Sequence, residues 1–191
     1  QELLMIVGQV PDWISTPIDE VMSSEQIDWV YNPRLTGDGP GIKNFDNKED
    51  TFQFTYTIFD NTGYKTNLTD YILGDLWHFI MKEHEDAFNN FKEIIRVKSN
   101  LLTKLSHSNA HIAHVDNDYK HLVILYYVND TDSDTTIYNE TFGTEFDKLT
   151  VKQTVSPKKG RYIIFNGSHF HASASPSKHN VRIVLNFNAL I

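Results

Sequence analysis

From residue 94 onward the chain is a succession of short β-forming segments with no helical repeat between them, and this limits its architecture more than any other feature. The segments fall at 94–105, 121–129, 135–139, 149–155, 161–166 and 180–188, divided by turn formers such as Asn129-Asp130 and the run from Pro157 to Gly160. Strands that follow one another without intervening helices pair antiparallel, and a set this large closes into a sandwich or barrel. A jelly roll is the expected arrangement.

The first half has a different character. Thr16-Pro17, followed by Asp19 and Glu20, reads as an N-cap, a proline at the first helical position and acids at the positive end of a helix dipole. Residues 32–43 (NPRLTGDGPGIK) are rich in turn formers, and 51–59 then alternate aromatic and polar side chains as a half-buried strand does. Ile72, Leu73, Leu76, Trp77 and Ile80 recur at three- and four-residue intervals, with Asp75, Lys82, Glu83 and Glu85 off that stripe, which predicts one helix over about 70–89. The expectation is an α+β chain: a double-stranded β-helix (jelly roll, cupin-like) core over about 93–191, flanked by N-terminal helices in a support region over about 1–92. No internal repeat or composition shift divides the 191 residues, so one domain is expected.

Composition narrows the chemistry. Cysteine is absent, which removes disulfides, thiolate zinc sites, iron–sulfur clusters and cysteine nucleophiles together, and leaves His, Asp and Glu as metal ligands. A formal charge of −8 argues against broad binding to a phosphate backbone, so no nucleic-acid partner is expected. The longest apolar runs are far short of the roughly 20 residues that cross a bilayer, and no signal-peptide pattern opens the chain. A cytoplasmic location without membrane association is the default, and oligomeric state is not readable.

The candidate site begins with His114-Val115-Asp116. Residues two apart on an extended segment face the same way, so His114 and Asp116 can reach one ion. His171, 57 residues beyond His114, can supply the third ligand from a distant strand or turn. Two imidazoles and a carboxylate leave positions open for a chelating cosubstrate and O2, the arrangement of non-haem Fe(II) oxygenases. His-x-Asp alone is a weak signal in a chain with nine histidines. Arg182, 11 residues past His171, strengthens it: in VRIVLNFNAL the strand alternation carries a guanidinium into an apolar interior, where it needs an anion, either a protein acid or a bound dicarboxylate.

His-x-Asp, a distal His and an Arg about ten residues further, all on β-segments, resemble the Fe(II)/2-oxoglutarate-dependent dioxygenase superfamily. HVDN, YYVN, KGRYIIFNGS, HAS and RIVLNFN resemble more narrowly its prolyl-4-hydroxylase-like branch, over roughly residues 94–189. The resemblance implies that His114, Asp116 and His171 bind iron and that Arg182 pairs with the distal carboxylate of 2-oxoglutarate. It implies that Tyr127 donates to that same carboxylate, that Lys104 is a further cosubstrate contact and that Asn186 lines the pocket. The implied cofactors are Fe(II), 2-oxoglutarate and O2, with ascorbate as an auxiliary reductant. The implied reaction is hydroxylation of an unactivated C–H bond with release of succinate and CO2. Its substrate is a peptide or protein, with a prolyl residue as one candidate, or a small molecule. Asp116 favours hydroxylation over halogenation, since related halogenases lack this carboxylate.

Two departures from the pattern stand out. NDTDSDTT (129–136) replaces the Gly-Gly-x turn that commonly follows YYLN, and His169 competes with His171 for the distal ligand position. Two other readings remain at this point. A cupin-type zinc or manganese enzyme would use His111, His114, His169 and His171 without needing Arg182, and a jelly-roll binding module would use none of them. His78, His84, His107, His121 and His179 carry no assigned role. Tyr64 or Trp29 can cover the site if the first half forms a lid, as can the loop at 37–41. Asp130, Asp132 and Asp134 superficially suggest calcium but lack the Gly and Glu of an EF-hand loop, and read as a solvated turn.

Overall fold

Strand β7 (His121–Tyr127) explains the architecture, because every one of its seven residues is buried. Leu122, Ile124 and Tyr126 face one apolar cluster while Val123, Leu125 and Tyr127 face another, so the strand is covered on both sides. The computed structural model describes residues 5–191. It contains two antiparallel sheets. The larger has the order β1 (Met5–Gln9), β10 (Arg161–Asn166), β7, β12 (Val181–Leu190), β5 (Glu93–Thr103), β4 (Gln53–Asp60) and β2 (Val30–Asn32). The smaller has the order β3 (Ile42–Lys43), β6 (Ala113–His114), β11 (His169–Ala172), β8 (Thr135–Thr141) and β9 (Val151–Val155). This is the double-stranded β-helix expected from the sequence.

One cluster lies between the sheets, where Val123, Leu125, Ile163, Phe165 and Val184 of the large sheet meet Ile137 and Val155 of the small one. The larger cluster lies behind the seven-stranded sheet, where helices cover Val97, Ile124, Tyr126, Ile164, Leu185 and Phe187. Helix α1 (Asp12–Met22) contributes Ile14, Ile18 and Met22 to it. A second helical rod contributes Ile72, Leu76, Trp77 and Ile80, and the Trp77 ring stacks on Phe187 at 5.4 Å between centroids. At roughly 1.5–3 kcal/mol for each large apolar side chain buried, this back layer anchors the sheet whose front face carries the site.

Three expectations are corrected. Helix α1 starts at Asp12 after Pro11, and Pro17 lies inside it rather than at its first turn. Packing of Ile14 and Ile18 outweighs the hydrogen bond that a mid-helix proline forfeits. The helix expected over about 70–89 is shorter and not uniform. It runs α2 (Thr69–Tyr71), a π-helical turn over Ile72–Trp77 and α3 (His78–Glu83), with a separate 3-10 turn at Glu85–Phe88. The wider turn lets Leu76 and the adjacent Trp77 both reach the core. Finally, residues before 93 are not only helical support: β1 pairs with β10 at one edge, β4 with β5 towards the other, and β3 with β6.

Candidate metal and cosubstrate site

His114 and His171 are direct cross-strand partners on β6 and β11. Their rings stand 4.6 Å apart between centroids, as side chains opposite one another on one face of an antiparallel pair do. Asp116 follows two residues after His114, and its Oδ1 lies 3.5 Å from Nε2 of each histidine. One donor atom from each of the three side chains lies within 4.8 Å of the others, and among the described residues this is the only such group of His, Asp or Glu.

The hydrogen bonds around these donors prepare them for a metal. Nδ1 of His171 lies 3.3 Å from the His169 carbonyl, and Nδ1 of His114 lies 3.5 Å from the Ile112 carbonyl. A ring that donates from Nδ1 presents the Nε2 lone pair to a metal. The outer oxygen of Asp116, Oδ2, accepts from Asn186 Nδ2 at 3.0 Å and Asn188 Nδ2 at 2.9 Å, which turns Oδ1 towards the imidazoles. Burial works against the charge on Asp116, but the two imidazoles more than offset it and hold the carboxyl well below its usual range. Two orientable imidazoles and an ionised carboxylate on one side of an open cleft fit Fe(II), whose remaining positions can face the cavity.

Arg182 opens onto the same cleft, which is lined also by His114, Asp116 and His171. Arg182 as a whole is 2% exposed. Nη2 donates to Thr135 Oγ1 at 2.8 Å, Nε has no partner, and no carboxylate lies within ion-pair distance among the described residues. Such a group is expensive to bury without an anion. A bound dicarboxylate therefore fits the cleft, with its far end on Arg182.

The other expected contacts fall in different places. Asn186 lines the cleft as expected, and it also holds Asp116. Tyr127 is fully buried and does not line the cleft; its hydroxyl donates to Thr135 Oγ1 at 2.7 Å, and its ring lies 5.8 Å from the Arg182 guanidinium. Thr135 thus accepts from both Tyr127 and Arg182, leaving its own O–H to donate into the cleft. Lys104 is corrected: it is exposed beyond the end of β5 and lines no part of the cleft. Its parity along the strand matches the inward residues Arg96, Lys98, Asn100 and Leu102, but the strand stops at Thr103. The inward lysine is Lys98, which sequence reasoning missed. Counting back by twos from Lys104 would have reached it.

The four-histidine alternative does not assemble. His111 Nε2 is 2.8 Å from Ser175 Oγ, and His169 Nδ1 is 2.6 Å from the Tyr138 carbonyl; neither joins the triad. A β-bulge between His169 and His171 separates their environments, although an ideal strand would put both on one face. Trp29 packs on Tyr56 and Tyr64 lies half exposed, and neither lines the cleft. Leu35 and Gln53 line it instead. Gln53 accepts from Asn100 Nδ2 at 2.7 Å and donates to the carbonyls of Arg34 and Leu35. Asp50 caps the backbone N–H groups of Leu35 and Thr36, fixing this stretch of the loop. The loop at 37–41 runs into β3, and the Gly41 carbonyl accepts from Val115 N–H at 2.9 Å. Asp132 does not lie in a freely solvated turn. It accepts from Ser108, Ser177, Lys178 and His179, and so anchors the segment between β11 and β12.

The architecture and the His-Asp-His group together define a double-stranded β-helix with a facial-triad candidate. Solved structures with this fold include 2OG-Fe(II) oxygenases, and the chain has their fold. It matches a 2OG-Fe(II) oxygenase family oxidoreductase from Burkholderia pseudomallei at TM-score 0.64 and 14% identity, over 97% of this chain and 84% of that one. It matches a Pseudomonas putida prolyl-4-hydroxylase at TM-score 0.60 and 10% identity, over 100% and 94%. It also matches the non-heme alpha ketoglutarate dependent epimerase SnoN from nogalamycin biosynthesis at TM-score 0.60 and 12% identity, over 98% and 77%. No family model matches the sequence, and no curated protein does.

Proposed function

We propose that the chain is an Fe(II)- and 2-oxoglutarate-dependent oxygenase that hydroxylates an unactivated C–H bond. The observation that carries this reading is Arg182, a buried guanidinium with no acid partner among the described residues, opening onto the cleft that holds the triad. A zinc or manganese cupin would have no use for it. His114, Asp116 and His171 would hold the metal, and Arg182 with the Thr135 hydroxyl would hold the distal carboxylate of the cosubstrate. When bound, Fe(II) and 2-oxoglutarate supply the oxidising power of O2, with 2-oxoglutarate leaving as succinate and CO2.

The chain's own part is orientation. Planar N–H donors of Arg182 match a carboxylate and fix the cosubstrate lengthwise in the cleft. Asn186 and Asn188 keep one oxygen of Asp116 aimed at the metal position. Val184, Leu102, Leu125 and Leu35 line the cleft with apolar surface, which limits water around the reacting groups. A prolyl ring is one candidate substrate, supported by the likeness to the Pseudomonas putida prolyl-4-hydroxylase; the likeness to an epimerase means that fold alone does not choose it.

The test is anaerobic addition of Fe(II) and 2-oxoglutarate, watching for the metal-to-ligand charge-transfer band, followed by air and measurement of succinate. Arg182→Met is expected to weaken 2-oxoglutarate binding by at least about 30-fold, from the roughly 2–5 kcal/mol lost when a buried charge pair is broken, while metal affinity changes little. No band and no succinate from the wild-type protein, or a band whose 2-oxoglutarate dependence Arg182→Met leaves unchanged, would overturn the proposal.

A further inference from the structure

The cleft holds more positive charge than an iron–2-oxoglutarate site requires. Resting on the function proposed above, Fe(II) and the 2-oxoglutarate dianion cancel each other, and Asp116 is the one carboxylate lining the cleft against three cations, Arg182, Lys98 and Arg96. Arg182 takes the far carboxylate of the cosubstrate in that reading, which leaves Lys98 and Arg96. Both line the cleft from the inward face of β5, two residues apart. Neither makes an ion pair with any described residue. Arg96 donates from Nη2 to Asn188 Oδ1 at 2.8 Å, but its Nε is buried without a partner. Lys98 makes no hydrogen bond to any described residue. Burial, and then the neighbouring Arg96, pull the Lys98 ammonium below its usual range, with Asp116 opposing. Two adjacent cations in a half-buried cleft, with no ion-pair partner among the described residues and one carboxylate nearby, are costly unless a ligand brings further negative charge.

We infer that Lys98 and Arg96 form a second anion site, separate from Arg182, that binds the carboxylate of the substrate and so selects a small carboxylic acid over an internal peptide residue. Their position sets the size of that acid. Lys98 lies directly across from Asn186 on β12, one strand spacing of about 4.8 Å away, and Asn186 donates to the triad's Asp116. An anion held by Lys98 therefore shares one small cleft with the metal position, at short reach from it. A free amino or imino acid, or a similarly short acid, has its carboxylate within that reach. A residue inside a peptide has an amide there, which cannot neutralise the two cations.

The same two cations could instead take the metal-proximal carboxylate of 2-oxoglutarate, and the experiment separates these sources. Protein loaded with Zn(II) and the unreactive mimic N-oxalylglycine is titrated, by calorimetry and ligand-observed NMR, with matched pairs. These are L-proline and L-prolinamide, L-leucine and L-leucinamide, and glutarate and its diamide. At least one acid is expected to bind, with its amide at least tenfold weaker. Lys98→Met is expected to lower affinity for that acid at least tenfold, Lys98→Arg to restore most of it, and both variants to bind N-oxalylglycine alone within about twofold of wild type. Binding of no acid, or of acid and amide alike, overturns the inference. So does a Lys98→Met protein that has lost N-oxalylglycine binding before any second ligand is added, which would give the cation to the cosubstrate. Failure of the wild-type protein to bind N-oxalylglycine at all would instead overturn the parent reading.

Discussion

Asn188 offers the sharpest test of how the triad is held, because it lies outside the metal's own ligand set. It is 1% exposed, and its Nδ2 donates to Asp116 Oδ2 at 2.9 Å. A hydrogen bond to a charged group is worth about 1.5–3 kcal/mol, and partners that orient a metal ligand typically contribute 10–100-fold in affinity. Asn188→Ala leaves Asp116 with Asn186 as its one amide donor, at 3.0 Å, so the carboxylate can rotate away from the position that faces both imidazoles. The expected outcome is a 10–100-fold rise in the dissociation constant for Co(II) or Mn(II), followed by absorption or paramagnetic resonance.

A second consequence keeps this from being a mere packing effect. Asn188 Oδ1 also accepts from Arg96, so Asn188→Ala strips a partner from a guanidinium that already has an unpartnered Nε. Metal-free stability should fall by about 1–3 kcal/mol in urea unfolding. Asn186→Ala removes the other Asp116 donor without touching Arg96. It should show a comparable loss of metal affinity with a smaller loss of stability. If both variants bind metal within threefold of wild type, orientation of Asp116 by this amide pair is refuted.

Two further outcomes follow from polar groups beyond the triad. Burial and the nearby Arg182 charge push the His111 imidazole down to about 4, so the native ring stays neutral while the unfolded ring takes up a proton below about 6.5. Stability from this group is whole above pH 6.5 and is lost as pH falls towards 4, by up to about 3 kcal/mol; His111→Gln should flatten that part of a urea-unfolding pH profile, and an unchanged slope would count against it. Asp132→Ala removes the acceptor shared by Ser177, Lys178 and His179, and should destabilise by about 2 kcal/mol, lowering Tm by about 4–8 °C in calorimetry; a shift under 1 °C would show that the anchor is idle.

What could be read from the sequence divides by physical cause. Strands β5, β7, β10 and β12 were legible because each alternates or saturates with apolar residues and is bounded by turn formers. Strands β3 and β6 were not, since two residues carry no periodicity and these exist only through their pairing with each other and with β11. The metal triad and Arg182 were legible as chemistry that an extended strand can place together. The Thr135 hydroxyl, Asn188 and the inward Lys98 were not singled out, because each depends on where a strand starts, stops or meets its neighbour. Lys104 shows the limit well: correct parity, one residue past the end of the strand.

Register is thus the device on which the site depends, and it is held where the sequence signal is weakest. Because side chains alternate faces, a one-residue slip of β6 would swing His114 to the opposite face. A two-residue strand cannot resist that slip by its own hydrogen bonds. It is gripped on both sides, with Ile42 of β3 and His171 of β11 both opposite His114. The Gly41 carbonyl then fixes the backbone of Val115, between the two ligands, and a Cβ at Gly41 would stand only 3.1 Å from the Val115 side chain. On the other strand the bulge after His169 sends that ring to Tyr138 and leaves His171 opposite His114. The irregularities of the small sheet, which make it hard to foresee, are what select one histidine from each strand for the triad.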